Sequence, residues 1–165
     1  MSQRATLVFP DWILLEEYKG DFKSYFNAVY KIFSAHFLKS NPYFNGVQVT
    51  APRYPELDGL SRTFYHITHQ GEDEQNREPD IRRMERIRYP KFKIDTHPHA
   101  ELLVWEKVMG RDTRIHILNV SESYILVLNK RKDYLLLWTA FYIEQKHTVK
   151  KKLKEYETYK KTKTA

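Results

Sequence analysis

Four short apolar segments in the second half of the chain constrain its fold most strongly. They comprise residues 102–108, 114–120, 124–129 and 134–143. Each is rich in β-branched, aromatic or leucine side chains and has the length of a typical strand. The intervening residues 110–113 and 130–133 are typical of hairpin turns. The pattern therefore predicts a four-stranded antiparallel sheet.

The last of these segments has two predictable faces, because side chains alternate along a strand. Residues 135, 137, 139 and 141 are expected on one face, and residues 136, 138, 140 and 142 on the other. Thr139 is the one hydroxyl among the large apolar residues of its face, and Tyr142 lies near the end of the strand. Thr139 is either an ordinary β-branched strand residue or a group that positions a phosphate.

The first part of the chain is predicted to be mainly helical. Apolar side chains recur every three or four residues over 21–38, which indicates an amphipathic helix. Shorter helices are predicted over 11–18 and 79–87, and short strands over 47–50 and 63–68. The sequence therefore predicts one α+β domain, residues 1–165, in which N-terminal helices pack on the sheet. Its parts are a mainly helical part (1–60), the arginine-rich segment and sheet (61–145) and a basic C-terminal helix (146–165).

Composition excludes several classes of protein. The 165 residues contain no cysteine, which rules out disulfides, thiolate catalysis and cysteine-ligated zinc. None of the five glycines lies in a phosphate-cradling pattern, which argues against a P-loop nucleotidase. The longest apolar run, residues 134–143, is too short to cross a bilayer as a helix. We therefore expect a cytoplasmic protein without a membrane partner.

Positive charge is concentrated at the C-terminal end. The net charge is +7, and residues 146–165 alone hold eight lysines against two glutamates. A basic helix of this kind can hold a polyanion without reading its sequence, and Lys146 and Lys150 are its candidate contacts. A solvated face that keeps the protein soluble is the competing interpretation.

The segment from residue 65 to residue 89 carries the strongest functional signal. It places His66 and His69 ahead of five arginines, at positions 77, 82, 83, 86 and 88. Imidazoles transfer protons near neutral pH, and guanidiniums bind phosphates through paired hydrogen bonds. The two histidines are expected at the end of the predicted strand 63–68. On the predicted helix 79–87, residues 82, 83 and 86 are expected to point outward. An ion-paired surface helix is the alternative interpretation.

The histidines also raise the question of a metal site. His66 and His69 would point apart at the end of a strand, and His97 and His99 form a similar pair near Asp95. Neither pair has a third ligand at a recognisable spacing. The sequence therefore predicts no metal site and no cofactor.

The chain resembles phage- and toxin-associated nucleases of the barnase, EndoU, colicin RNase and RelE superfamily. The resemblance runs from about residue 7 to residue 161 and lies in the order of its parts. These are an FPDW segment with a helix, YHIT, R-x-PD-x-RR-x-ERI, VLNKRKDYLLLWTAFYI and a lysine-rich end. It implies a small metal-independent ribonuclease, with helices packed on a four-stranded antiparallel sheet. It also implies a site that joins a histidine, basic residues and a hydroxyl from the last strands.

The sequence and the resemblance together favour an endoribonuclease that acts as a toxin or phage-associated effector. His66 or His69 would be the general base, and Arg77, Arg82 and Arg83 would stabilise phosphoryl charge. Thr139 and Tyr142 would position the phosphate, with Tyr142 or the second histidine as the acid. Arg82, Arg83, Arg86, Lys146 and Lys150 would bind RNA.

Two other classes of function use the same residues. A non-catalytic RNA- or DNA-binding module would use the arginines and lysines and leave the histidines idle. A protein-interaction factor of a mobile element would dock the arginine-rich helix on an acidic partner. An acidic protein inhibitor, such as an antitoxin or immunity protein, is compatible with the nuclease and with the interaction factor.

Overall fold

A six-stranded mixed sheet forms the centre of the molecule, in a computed structural model that describes residues 6–52, 56–57, 59–73 and 76–164. The strands of this part are β1 (Tyr43–Phe44), β2 (Val47–Thr50), β3 (Glu56–Leu57), β4 (Leu60–Ser61), β5 (His69–Gln70), β6 (Glu78–Pro79), β7 (Leu103–Met109), β8 (Asp112–Asn119), β9 (Tyr124–Lys130) and β10 (Leu135–Tyr142). Its α-helices are α1 (Phe22–Phe33), α2 (Arg62–Thr68), α3 (Ile81–Glu85), α4 (Tyr89–Thr96) and α5 (Lys146–Thr164). The ends of the predicted domain, residues 1–5 and 165, lie outside the described residues.

The order of the strands corrects the predicted architecture. Strands β7 to β10 form the expected antiparallel meander, but the sheet continues beyond β10 in the order β1-β2-β10-β9-β8-β7. Strand β2 pairs in parallel with the start of β10, where Val49 lies opposite Leu135, and β1 pairs antiparallel with β2. The predicted four-stranded antiparallel sheet is therefore wrong. A parallel pair has no hairpin turn between its strands, so no local sequence motif predicts that the two strands pair.

Helices cover both faces of the sheet. One face packs against α1 to α4 in a core that includes Val29, Phe64, Met84 and Ile94. The other face packs against α5 through a smaller cluster that includes Trp105 and Val149. The amphipathic pattern of α1 is confirmed, although its last turn, Ser34–Leu38, is a π-helix. The predicted basic C-terminal helix is present as α5.

Residues 62–68 form helix α2 where a strand was predicted, so that prediction is wrong. The Ser61 hydroxyl caps the helix by accepting a hydrogen bond from the Phe64 backbone N–H at 3.4 Å. Phe64, Ile67 and Thr68 share its buried side at helical spacing. A seven-residue segment is too short for its periodicity to separate helix from strand.

A β-bulge in β10 changes which side chains share a face. Leu137 pairs with Leu128 and Thr139 with Val127, so Trp138 is the additional residue. Leu137 and Ala140 pack in the core on the α1–α4 side, whereas Trp138 and Phe141 pack on the α5 side. The strict alternation expected from 135 to 142 is therefore wrong beyond Leu137.

Two predicted helices are shorter in the structure. The segment predicted over 11–18 is a 3-10 turn at Leu15–Tyr18. In the segment predicted over 79–87 only α3 is helical, and Pro79 lies in strand β6. Among the described residues, no helix combines the length and the apolar character needed to span a bilayer.

A completely buried lysine joins α4 to the sheet. The Lys93 ammonium donates hydrogen bonds to the backbone oxygens of Ile117 (2.7 Å) and Tyr124 (2.8 Å) and to Oδ1 of Asn119 (2.9 Å). Its side chain is 0% exposed, and burial lowers its pKa well below the ordinary value for lysine. These bonds fix α4 against the β8–β9 connection, because three buried acceptors depend on one donor group.

The substitution Lys93→Met should lower the free energy of unfolding by about 3 kcal/mol, because it leaves three buried acceptors without a donor. Lys91→Met on the same helix is the matched control, since the Lys91 side chain is 34% exposed and its ion pair with Asp95 is at the surface. Urea denaturation of both variants measures the difference. Equal stabilities would contradict the structural role of Lys93.

Candidate functional site

The candidate site lies beside the C-terminal half of β10. Strand β2 pairs only with Leu135 and Leu136, and α2 and α3 lie beside the remainder of the strand. The arginine-rich segment therefore meets Phe141 and Tyr142 at this edge. The Arg83 guanidinium lies 5.1 Å from the centre of the Phe141 ring, and that of Arg82 lies 5.8 Å from the Tyr142 ring.

His69 is the central residue of this site and is held in one tautomer. The Thr68 hydroxyl donates its single proton to the Phe64 carbonyl oxygen at 2.7 Å. Toward Nδ1 of His69, 2.9 Å away, that hydroxyl can therefore only accept. We assign the proton of the neutral imidazole to Nδ1 for this reason, which leaves the lone pair of Nε2 as its proton acceptor.

The surroundings of His69 favour its neutral form. The residue is 7% exposed and packs against the Tyr65 ring at 4.7 Å. Burial is the largest cause that lowers its pKa, and the charges of Arg77 and Arg83 act in the same direction. The Tyr65 backbone and the Asp80 carboxylate oppose these effects without overcoming them. The imidazole of His69 is therefore mainly neutral at pH 7.

The hydrogen bonds of Arg83 go mainly to backbone carbonyl oxygens. Its Nη1 donates to the carbonyl oxygens of His66 (3.0 Å) and His69 (2.7 Å), at the C-terminal end of α2. Its Nε lies 3.3 Å from the Asp80 carboxylate. The Arg83 side chain is 16% exposed, so the prediction that it points outward is wrong. The helix end needs such a donor because its last carbonyls have no partner within the helix.

Arg77 is the second guanidinium that contacts the His69 carbonyl oxygen, and among the described residues it has fewer partners than Arg83. Its Nη1 is 3.5 Å from the His69 carbonyl oxygen, which is the outer limit of a hydrogen bond. Its Nε is buried and has no hydrogen-bond partner among the described residues. A guanidinium with a single long hydrogen bond close to a neutral imidazole is suited to an anionic group.

Arg82 and Arg86 have different environments. Arg86 is 5% exposed, and its guanidinium lies between the rings of Trp12 (4.1 Å) and Tyr142 (4.4 Å). Its Nη1 also donates to the Arg82 carbonyl oxygen at 2.9 Å. The prediction that Arg86 points outward is therefore wrong. The side chain of Arg82 is about half exposed and forms an ion pair with Glu144.

The structure brings together only part of the predicted site. His66 lies on α2, and its carbonyl oxygen accepts a hydrogen bond from Arg83. Tyr142 lies on the α1–α4 side of β10. Thr139 lies on the α5 side, two residues before Phe141, and its hydroxyl has no hydrogen-bond partner in the described part of the chain. His69 and Arg77 are therefore adjacent, while Thr139 and Tyr142 lie on opposite faces.

Three residues that the sequence did not single out complete the surroundings. Phe141 lies under Arg83, Trp12 lies under Arg86 and Glu144 pairs with Arg82. The only sequence signal for Trp12 was its place in the FPDW segment, since contacts between distant segments leave no periodic pattern.

The C-terminal helix begins close to this edge. Lys146 and Lys150 are both exposed, four residues apart and hence on one side of α5. The helix starts four residues after Tyr142. Both lysines can therefore extend a positive surface from the candidate site. Within the described ranges, no group of three or more potential ligands is arranged to hold a metal ion.

We expect Arg86 to act on stability rather than on ligand binding. Arg86→Ala should lower the free energy of unfolding by about 3 kcal/mol, because it removes a desolvated guanidinium from two aromatic rings and a carbonyl oxygen. Arg86→Lys should recover less than half of this loss, since an ammonium cannot stack as a plane. Arg82→Ala, at the exposed neighbour, should cost about 1 kcal/mol or less in the same urea titration. A stability of Arg86→Ala equal to that of Arg82→Ala would contradict this role.

The geometry shows which chemical groups lie together at this site. It combines a neutral imidazole whose proton we assign to Nδ1, two guanidiniums that contact the His69 carbonyl oxygen, and a basic helix nearby. No protein-family model, no curated protein and no solved structure matches the chain.

Proposed function

We propose that the chain is a metal-independent endoribonuclease that cleaves RNA through attack of the ribose 2′-OH on the adjacent phosphorus. One observation carries this proposal. The Thr68 hydroxyl faces Nδ1 of His69 as an acceptor, which assigns the ring proton to Nδ1 and the lone pair to Nε2, and Arg77 lies close by with one long hydrogen bond among the described residues. A base and a phosphate-binding group are the minimum that such a reaction requires.

In the proposed reaction, His69 Nε2 removes the proton of the 2′-OH. The 2′-oxygen forms a bond to phosphorus, the bond from phosphorus to the 5′-oxygen breaks, and a 2′,3′-cyclic phosphate remains. Arg77 stabilises the charge that develops on the phosphoryl oxygens, and Arg82 is a second, partly exposed guanidinium. His66 and Tyr142 are the two candidates for the acid that protonates the leaving 5′-oxygen.

A non-catalytic RNA-binding module is the second candidate, and it has its own supporting observation. Arg83 and Arg86 are engaged within the protein, and His69 is only 7% exposed. Such a module would bind RNA through exposed groups such as Lys146 and Lys150. Its affinity would fall steeply with salt, without product formation.

The proposed ribonuclease activity also suggests a biological role for the protein. A metal-independent ribonuclease of this size suits a toxin or a phage-associated effector. An acidic protein inhibitor is then the expected protein partner, because a carboxylate-rich surface can pair with the same cationic groups as RNA. A protein that ignores RNA and binds only such an acidic partner would instead be the interaction factor.

The decisive test is cleavage of cellular RNA by purified protein in EDTA. His69→Ala and His69→Gln should each lower the rate at least about a hundredfold, because they remove the base. His147→Ala is the control, since His147 is exposed on α5. Fragments that end in a 2′,3′-cyclic phosphate are the expected product. Full activity in both His69 variants, or intact RNA with the native protein, would overturn the proposal.

The rate should also depend on pH in a defined direction. A base must be deprotonated to act, and the pKa of His69 is lowered from 6.5, so kcat/KM should fall only below about pH 6.5. The charged groups that face His69 are Arg77, Arg83 and Asp80. Arg77→Gln removes a positive charge and should move this acid limb to higher pH. A limb that stays in place would exclude His69 as the titrating base.

A further inference from the structure

A second group of polar side chains lies on the same sheet, on the face that packs against α5. Arg114 on β8 is two residues from His116, which stacks on Trp105 in the α5 layer, so both side chains occupy that face. The register places Arg114 directly opposite Asn129 on β9. The bulge in β10 brings Trp138 to the same face.

Arg114 is stacked but has few strong hydrogen bonds. Its guanidinium lies 4.6 Å from the centre of the Trp138 ring. Its Nη1 donates to the Met109 sulfur at 3.3 Å, and its Nη2 lies 3.6 Å from the Asp112 carboxylate. Its Nε has no partner among the described residues. A thioether is a weak acceptor, so the Asp112 carboxylate is the one strong partner of this guanidinium in the described part of the chain.

Asn129 beside it offers an unpaired acceptor. The residue is completely buried, and its Nδ2 donates to the Asp112 carboxylate at 3.1 Å. That bond fixes the orientation of the amide, because a carboxylate can only accept. Asn129 Oδ1 is then left without a partner in the described part of the chain. A buried acceptor without a partner lowers the stability of the fold unless a ligand or a water molecule donates a hydrogen bond to it.

This group is continuous with the proposed catalytic site along β10. Phe141, which lies under Arg83, and Thr139 lie on the α5 side, and Trp138 follows next toward Arg114. Three residues of strand span about 10 Å. A single RNA strand that crosses the proposed site can therefore reach Arg114.

We propose that Arg114, Trp138 and Asn129 form a subsite for one unpaired nucleobase of the RNA. The base stacks on the plane of the Arg114 guanidinium that faces away from Trp138, since planar guanidiniums stack on bases as well as on rings. Asn129 Oδ1 accepts a hydrogen bond from an amino or imino group of the base. This inference rests on the proposed function for the identity of the ligand as RNA.

The test is the affinity for a short single-stranded RNA of random sequence, measured by fluorescence anisotropy. All proteins carry His69→Gln, so that the RNA stays intact. Arg114→Ala should weaken binding about tenfold, which is the scale of one stacked base. Arg114→Lys keeps the charge and should lose nearly as much, because it cannot stack. Arg111→Ala, an exposed arginine in the adjacent hairpin turn, should weaken binding by much less.

Inorganic polyphosphate separates base recognition from phosphate recognition, since it carries the charge without bases. Arg114→Ala should affect polyphosphate binding no more than Arg111→Ala does. Equal losses for RNA and polyphosphate, or full rescue by Arg114→Lys, would overturn the base subsite. Thermal unfolding shows whether Arg114→Ala is folded, and Arg114→Lys provides the test if it is not.

Cleavage by the protein with native His69 separates this inference from the proposed function. Binding that depends on Arg114, without any cleavage, would support the subsite and reject the nuclease. Cleavage that depends on His69, together with identical behaviour of Arg114→Ala and Arg111→Ala, would support the nuclease and reject the subsite.

Discussion

The guanidinium of Arg83 is the contact on which the candidate site depends. It donates to two carbonyl oxygens at the end of α2, and its partner Asp80 accepts from the backbone N–H groups of Arg82 and Arg83 at the start of α3. One guanidinium–carboxylate pair thus joins the end of one helix to the beginning of the next. The Asp80 N–H also donates to the Thr68 carbonyl oxygen at 2.9 Å. The backbone of His69 is therefore fixed from both sides, and its ring takes its position from that backbone.

This arrangement explains why the arginine-rich segment is more structural than its composition indicates. A guanidinium can bind phosphate, cap a helix or stack on a ring with the same donors and the same plane. Arg83 caps α2, and Arg86 lies between Trp12 and Tyr142. Only the tertiary structure decides among these uses, because the partners come from distant segments. Arg82 remains about half exposed, and Arg77 has a single long hydrogen bond in the described part of the chain.

Local patterns predicted the parts of the fold whose signals are local. The meander β7 to β10 was predictable because hairpin turns separate alternating or apolar segments, and α1 because five aromatic or aliphatic residues recur at helical spacing. The β2–β10 pair was not predictable, since about half of the chain separates its two strands. The bulge at Trp138 inverted the expected faces of Thr139 and Ala140, because one additional residue reverses an alternation with period two.

The same limits apply to the candidate site. The sequence named His66 and His69 together and could not choose between them. The choice of His69 follows from the Thr68 hydroxyl, whose only proton goes to the Phe64 carbonyl oxygen. That bond exists because residues 62–68 are helical, and the sequence predicted a strand there. The incorrect strand prediction therefore hid the hydrogen bond on which the proposed choice of His69 rests.

The charges around His69 also couple the proposed base to its substrate. In the free protein, burial and the guanidiniums of Arg77 and Arg83 lower the pKa of His69 and keep the imidazole neutral. A phosphate bound at Arg77 would offset the positive charge that disfavours the imidazolium. The affinity of Nε2 for a proton would then rise as RNA binds, when the 2′-OH has to lose one. A cationic site can thus keep a histidine neutral in the free protein. The negative charge of a bound polyanion then raises the pKa of that histidine and makes it a stronger base.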